Sequence, residues 1–199
     1  GHDRSVLIVI ENLPVPMDRR VWLEATTLTA QGYHVTVICP TGQGWDKPHE
    51  VIDGVTIHRY PAPPEAHSGA VAYAREYLHS IWHWFRLARV AWRDRRFQVI
   101  QGCNPPDLIF VLALWYRLWG VRYLFDHHDV CPELFEAKFD RKGLLYRIML
   151  IWERMTFATA SVSMATNESF RAIAIRRGKM APDDVFVVRS APRIEKFLP

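Results

Sequence analysis

The sequence is short of several things, and each shortage narrows what the chain can be. It has only three cysteines, Cys39, Cys103 and Cys131, far apart and without Cys-x-x-Cys spacing. Neither a disulfide framework nor a zinc ribbon is built from such a set, and a reducing cytoplasm is the natural compartment. Long hydrophobic runs are missing too: the longest, residues 108–114, falls far below the ~20 residues of a spanning helix. A chain that crosses a membrane is not expected, and no basic-then-apolar leader opens it. The opening Gly1-His2, without Met, reads as a remnant of expression, which leaves the natural start uncertain. Charge of one sign is scarce, with 25 Lys and Arg against 21 Asp and Glu and a formal net charge of +4, so the clustering of basic residues matters more than their number. Internal repeats and low-complexity tracts are absent as well. What remains is a chain of 199 residues with 49% apolar composition, enough to bury a core as one domain, at most two.

The apolar pattern alternates between two periods. Ser5–Ile10 (SVLIVI) is a β-branched run with the look of a strand buried on both faces. Prolines at 14 and 16 end it, Asp18 caps a helical stretch closed by Gly32, and residues 33–39 (YHVTVIC) form a second strand. This is a βαβ unit, which implies parallel strands and a right-handed crossover. Residues 50–60 alternate around Asp53-Gly54, a hairpin signal. A long helix over 69–96 and a strand at 97–101 follow. Asn104 is then read as the cap, with Pro105 in the first turn, of a helix reaching Trp119. Further strands are expected at 121–125, 160–165 and 185–188, with helices over 142–157 and 168–177. The fold class is therefore α/β, a doubly wound, mostly parallel Rossmann-like sheet of about seven strands with helices on both faces.

In such sheets ligands bind beyond the carboxyl ends of strands. Three loops leave those ends: residues 11–18, 102–107 and 126–133. The third holds Asp126-His127-His128-Asp129. A metal centre is one reading, but adjacent side chains on an extended segment point to opposite faces, so the two histidines do not converge on one ion. A structural turn is the other, with Asp129 capping it and Pro132-Glu133 starting a helix.

The motifs FDHHDVCPELF (125–135), MDRRVWLEA (17–25), QGYHVTVICP (31–40), ATNESFRAIAIRRG (165–178) and VFVVRSAP (185–192) resemble those of the N-terminal domain of family-4 glycosyltransferases of the GT-B fold. The first is the most specific, and the likeness covers nearly the whole chain. The resemblance implies transfer of a sugar from a nucleotide-sugar donor to a glycan, polyprenyl-linked or small-molecule acceptor, metal-independent and retaining. It implies no cofactor, since the nucleotide-sugar is itself the substrate. It places His128 against the transferred sugar, with Asp126 and Asp129 fixing its tautomer or binding acceptor hydroxyls, while His127 points into the sheet layer. Asn104, on the neighbouring loop, and Glu133, at the end of the same loop, are candidate substrate contacts. The family's Gly-rich loop after the first strand is missing: ENLPVPMDRR offers no glycine, so Arg19 or Arg20 is the candidate phosphate ligand. The resemblance also implies a second, donor-binding domain with a Glu-x7-Glu pair, absent from this chain, which ends in RIEKFLP at the expected linker. A single N-terminal domain over 1–199, inactive alone, is expected. A non-catalytic sugar- or nucleotide-binding module is the alternative.

At 100° per residue the long helix sets Tyr73, Tyr77, Ile81, Trp84, Ala88 and Ala91 on one stripe. Opposite lie Arg75, His79, Trp82, Arg86, Arg89, Arg93 and Arg96, without an acid. The first stripe is core. The second fits an anionic bilayer surface or a polyprenyl-diphosphate acceptor, which would put the protein at the inner face of the cell membrane. Nothing else resembles a nucleic-acid module, so no nucleic acid is expected as a partner.

Overall fold

The computed structural model describes residues 4–62, 70–133 and 144–189. Its eight strands form one sheet in the order β3-β4-β2-β1-β5-β6-β7-β8. They are β1 (Ser5–Ile10), β2 (His34–Pro40), β3 (His49–Ile52), β4 (Val55–Tyr60), β5 (Val99–Cys103), β6 (Arg122–His127), β7 (Val162–Ala165) and β8 (Val185–Val187). Every pairing is parallel except β3 with β4. The strand beyond the expected seven comes from the β3–β4 hairpin, whose turn has Asp53 at φ 49° and Gly54 at φ 80°, the paired positive angles that an Asp-Gly sequence supplies most easily.

The helices whose bounds lie within the described residues include α1 (Arg19–Ala30), α2 (Ala70–Asp94), α3 (Phe110–Arg117), α4 (Leu144–Thr159) and α5 (Glu168–Arg176), and residues 131–133 are helical as expected of Pro132-Glu133. Strand β1 shows why the sheet needs both layers. Its six residues are all buried. Leu7 and Val9 pack into the core shared with α2, α3, α4 and α5, and Val6, Ile8 and Ile10 pack into the core beneath α1. The chain builds outward from β1 through β2 to the hairpin, then returns to β5 on the other side. The order thus reverses between β1 and β5, the place where doubly wound sheets open a ligand crevice.

Helix α2 lies as its periodicity predicts, with Trp84, Ala88 and Ala91 buried and Arg75, Trp82, Arg86, Arg89 and Arg93 exposed. The Trp84 indole donates to the Tyr60 hydroxyl at 3.1 Å, fixing the helix to the end of β4. Gly69 and the side chain of Tyr73 fall outside the described residues, as do Phe135 of the strand-end motif, residues 142–143 and the RIEKFLP terminus. One expected helix is shorter: α3 begins at Phe110 rather than after Asn104 and ends at Arg117, and no side chain caps its first turn. Asn104 is engaged elsewhere, as shown below. Among the described residues no helix is long and apolar enough to cross a membrane.

Candidate functional site

Helix α1 starts where Asp18 accepts from the Val21 amide at 3.0 Å. That start presents Arg20 toward the end of β6, because its first turn faces the crevice beside β1. The Arg20 Nη2 donates to Asp126 Oδ1 at 2.8 Å, and Nη1 donates to the Val188 carbonyl at 2.7 Å. Asp126 ends up fully buried. Gln101 Nε2 also donates to its carboxylate at 3.3 Å and to Glu24 at 2.7 Å. His128 turns back over the same carboxylate, with Nε2 2.7 Å from Asp126 Oδ2.

That short contact determines the imidazole. Nε2 carries the proton and donates to Asp126, so the neighbouring Arg20 Nε–H, 3.2 Å away, is left to the carboxylates. No hydrogen bond within the described residues reaches Nδ1, and the side chain keeps 15% of its surface exposed. His128 therefore commits Nε2 to the carboxylate and leaves one ring nitrogen, Nδ1, without a hydrogen-bond partner among the described residues. Burial alone would raise the Asp126 pKa, but His128 and Arg20 outweigh it and hold the carboxyl below its ordinary range. Burial likewise opposes the charge on His128, and Asp126 outweighs it, raising that pKa. Glu24, desolvated and beside Asp126, is pushed up to about 7.

The other predicted residues divide. Arg19 is exposed beside the crevice, whereas Arg20 is bound to the buried carboxylate, so the two are not interchangeable as phosphate ligands. Asp129 is half-buried on the loop. Asn104 is not a helix cap, and with 1% exposure it is not placed to touch a substrate. Its Oδ1 accepts from the amides of His128 at 2.7 Å and Asp129 at 3.1 Å, and its Nδ2 donates to the Asp129 carbonyl at 2.6 Å. The part-buried loop amides are satisfied by the Asn104 side chain, which holds the loop that carries His128. Glu133 is also engaged: Arg177 binds it and the buried Glu153 together, at 2.5 Å for the latter. Burial opposes the charge of Glu133, yet Arg177 outweighs it and lowers its pKa. This ionic brace ties the loop to α4 and to the end of α5.

His127 lies on the opposite face of β6, 1% exposed, stacked on Phe125 at 5.3 Å with Phe157 at 5.4 Å and Phe170 at 4.8 Å. Neither ring nitrogen has a hydrogen-bond partner. Desolvation, followed by the Arg177 charge, pushes its pKa down to about 4. The folded state therefore takes up this proton later than the unfolded chain as pH falls. Stability present above pH 6.5 is lost progressively toward pH 4, by up to roughly 3 kcal/mol. Thermal unfolding from pH 7 to 4 should show this slope in the wild type and a shallower one in His127→Phe; identical slopes would refute the assignment.

Cys103 Sγ, an Asp126 oxygen and a His128 nitrogen lie within 4.8 Å of one another and form the one candidate ligand group among the described residues. An ion there would have to displace the Arg20 guanidinium from Asp126, and full burial raises the Cys103 thiol pKa well above its ordinary value, opposing the thiolate a metal needs. Sequence reasoning did not single out Gln101 and Glu24 as partners of this site. The available signals were a lone amide in an apolar strand and a glutamate four residues after Arg20.

Solved structures with this fold include the sucrose-phosphate synthase of Thermosynechococcus elongatus (TM-score 0.67, 13% identity, 96% of this chain and 49% of that one). Another is the catalytic domain of starch synthase IV from Arabidopsis thaliana bound to ADP and acarbose (0.61, 11%, 98% and 53%). A third is Phytolacca americana UGT2 complexed with UDP-2-fluoro-glucose and pterostilbene (0.60, 12%, 96% and 54%). These establish the shared α/β fold of GT-B glycosyltransferase domains, and the chain spans about half the length of each. No curated protein matches it in sequence. The model of the glycosyl transferase 4-like domain matches residues 17–191, a span that takes in α1, the Asp126–His128 loop and β8, and the chain belongs to that family.

Proposed function

We propose that this domain forms the acceptor-side wall of a retaining, metal-independent glycosyltransferase of the hexosyl type, which takes a sugar from a nucleotide-sugar donor. The observation that carries the reading is the oriented His128 at the carboxyl end of β6: Nε2 bound to buried Asp126, Nδ1 without a hydrogen-bond partner among the described residues, and 15% of the side chain exposed. A single fixed ring nitrogen suits one hydroxyl of a bound sugar. The family match and the UDP- and ADP-bound neighbours support the donor class. Arg19, exposed at the start of α1, is the better placed of the two arginines for a donor phosphate. The cation already seated on Asp126 supports metal independence.

The chain spans half of its structural neighbours, so a second, donor-binding domain is part of this proposal, and the two walls together make the site. The acceptor is a glycan, a small molecule or a lipid-linked sugar. The basic face of α2 favours the last, with the enzyme at the cytoplasmic face of a membrane in polysaccharide synthesis. The full-length enzyme should release nucleotide from its sugar donor in the presence of EDTA at the rate seen without it. Strict dependence on an added divalent ion would overturn metal independence. Donor binding without any transfer across an acceptor panel would indicate the non-catalytic binding module instead.

A further inference from the structure

Helix α3 brings a second apolar surface to the basic face of α2. Between them runs a groove of about 660 Å³ with Trp82, Arg86, Arg89 and Arg93 on one side and Trp115 and Tyr116 on the other. None of its lining residues is acidic. Around it Trp82 is 61%, Trp115 52%, Trp119 53% and Leu118 77% exposed. Isolated exposed apolar residues need no explanation, but three indoles and a leucine gathered beside three arginines do. Arg86 lies over the Trp82 ring at 5.4 Å and Trp115 lies 5.7 Å from Trp119, so one wall of the groove carries an indole capped by a cation and the other continues into a second indole.

Guanidinium groups match phosphate geometry, and indoles favour the boundary between headgroups and acyl chains. We propose that the groove between α2 and α3 seats the phosphate headgroups of acidic lipids, with Trp115, Leu118 and Trp119 entering the acyl boundary of the bilayer. The inference rests on the membrane-facing reading of α2 and extends it to α3, giving that reading an apolar half it lacked. A nucleic acid would satisfy the arginines, but it offers no hydrocarbon for a leucine as exposed as Leu118.

Sedimentation with phosphatidylcholine vesicles containing about 30% phosphatidylserine tests it, since each basic residue near such a surface contributes on the order of 1 kcal/mol. The wild type should bind these vesicles, leave pure phosphatidylcholine unbound, and release as salt rises past ~0.15 M. Tryptophan emission should shift to the blue on vesicles but not with inorganic phosphate. The triple reversal Arg86→Glu, Arg89→Glu, Arg93→Glu should abolish binding. The double variant Trp115→Ala, Trp119→Ala should weaken it about tenfold, as loss of interfacial apolar area requires. Leu118→Glu should do the same, and its exposure ensures that folding is not at issue. Loss with the arginine variant alone would sustain the α2 reading and overturn the groove. Absence of wild-type binding would overturn both, and displacement by a single-stranded DNA oligomer without an emission shift on vesicles would make the face a polyanion surface. None of these readouts depends on sugar transfer, so the proposed activity stands or falls separately.

Discussion

Replacing His128 with Ala in the full-length enzyme should lower turnover by about 100-fold or more while leaving the fold intact, a loss of roughly 2.7 kcal/mol of transition-state stabilisation. The size follows from the preorganisation of the ring. Nε2 is bound to a carboxylate that has no exposure of its own, and the loop that carries the residue is held by Asn104 through three hydrogen bonds. A group fixed in this way costs no reorganisation when charge develops on the substrate, and Ala removes it without uncovering the core. The same substitution one residue earlier should behave in the opposite sense. His127→Ala empties a position among Phe125, Phe157 and Phe170 and should cost on the order of 2–4 kcal/mol of stability, as buried ring truncations do, with turnover of the folded fraction nearly unchanged. A fall in kcat with unchanged KM in His128→Ala would place the contact in the transition state; a rise in KM alone would make it a uniform binding contact.

Asp126→Ala should destabilise the protein by about 3–5 kcal/mol, the cost of leaving a buried ionic partner uncompensated. Arg20, with a side chain only 10% exposed, loses its fork partner; His128 and Gln101 lose an acceptor. Glu24 lies 3.3 Å from the guanidinium; in the variant it is relieved of the Asp126 charge that helps to raise its pKa, but burial, the larger cause, still opposes its ionisation, so it replaces only part of the lost charge. Urea unfolding would show the loss as a lower midpoint with an unchanged slope. The double variant Asp126→Leu, Arg20→Met should recover much of it, because removing both charges leaves neither stranded. A loss below about 1 kcal/mol in the single variant would mean that Arg20 finds water instead, since exposed pairs contribute no more than that.

Much of this was legible in the sequence because it depends on periodicity. The β-branched run of β1, the Asp-Gly hairpin and the apolar stripe of α2 each express a local rule, and a mostly parallel sheet of about seven strands follows from their alternation, to which the structure adds an eighth. The two-residue period of a strand puts His127 and His128 on opposite faces, while the family resemblance says which of them faces the ligand. Asn104 differs from its sequence reading for a physical reason: an Asn followed by prolines satisfies the local rule for a helix cap, but the amides of residues 128 and 129 compete for the same oxygen from 24 and 25 residues away in the chain. Local patterns carry no trace of such a partner. Glu133 is similar, since its engagement depends on Arg177, 44 residues downstream. The groove beside α2 was half visible: the arginines and Trp82 share a helical face, whereas Trp115 and Trp119 join them only through the packing of α3.

The central claim, that His128 held by Asp126 acts on a transferred sugar, is tested most directly by steady-state turnover of the full-length enzyme at saturating nucleotide-sugar. Wild type, His127→Ala and His128→Ala would be compared in EDTA, each scaled to its folded fraction. Full activity is expected for the first, near-full activity for the second and a loss of about 100-fold for the third. Equal turnover in all three would contradict it, and the strand-end cluster would then be a structural turn.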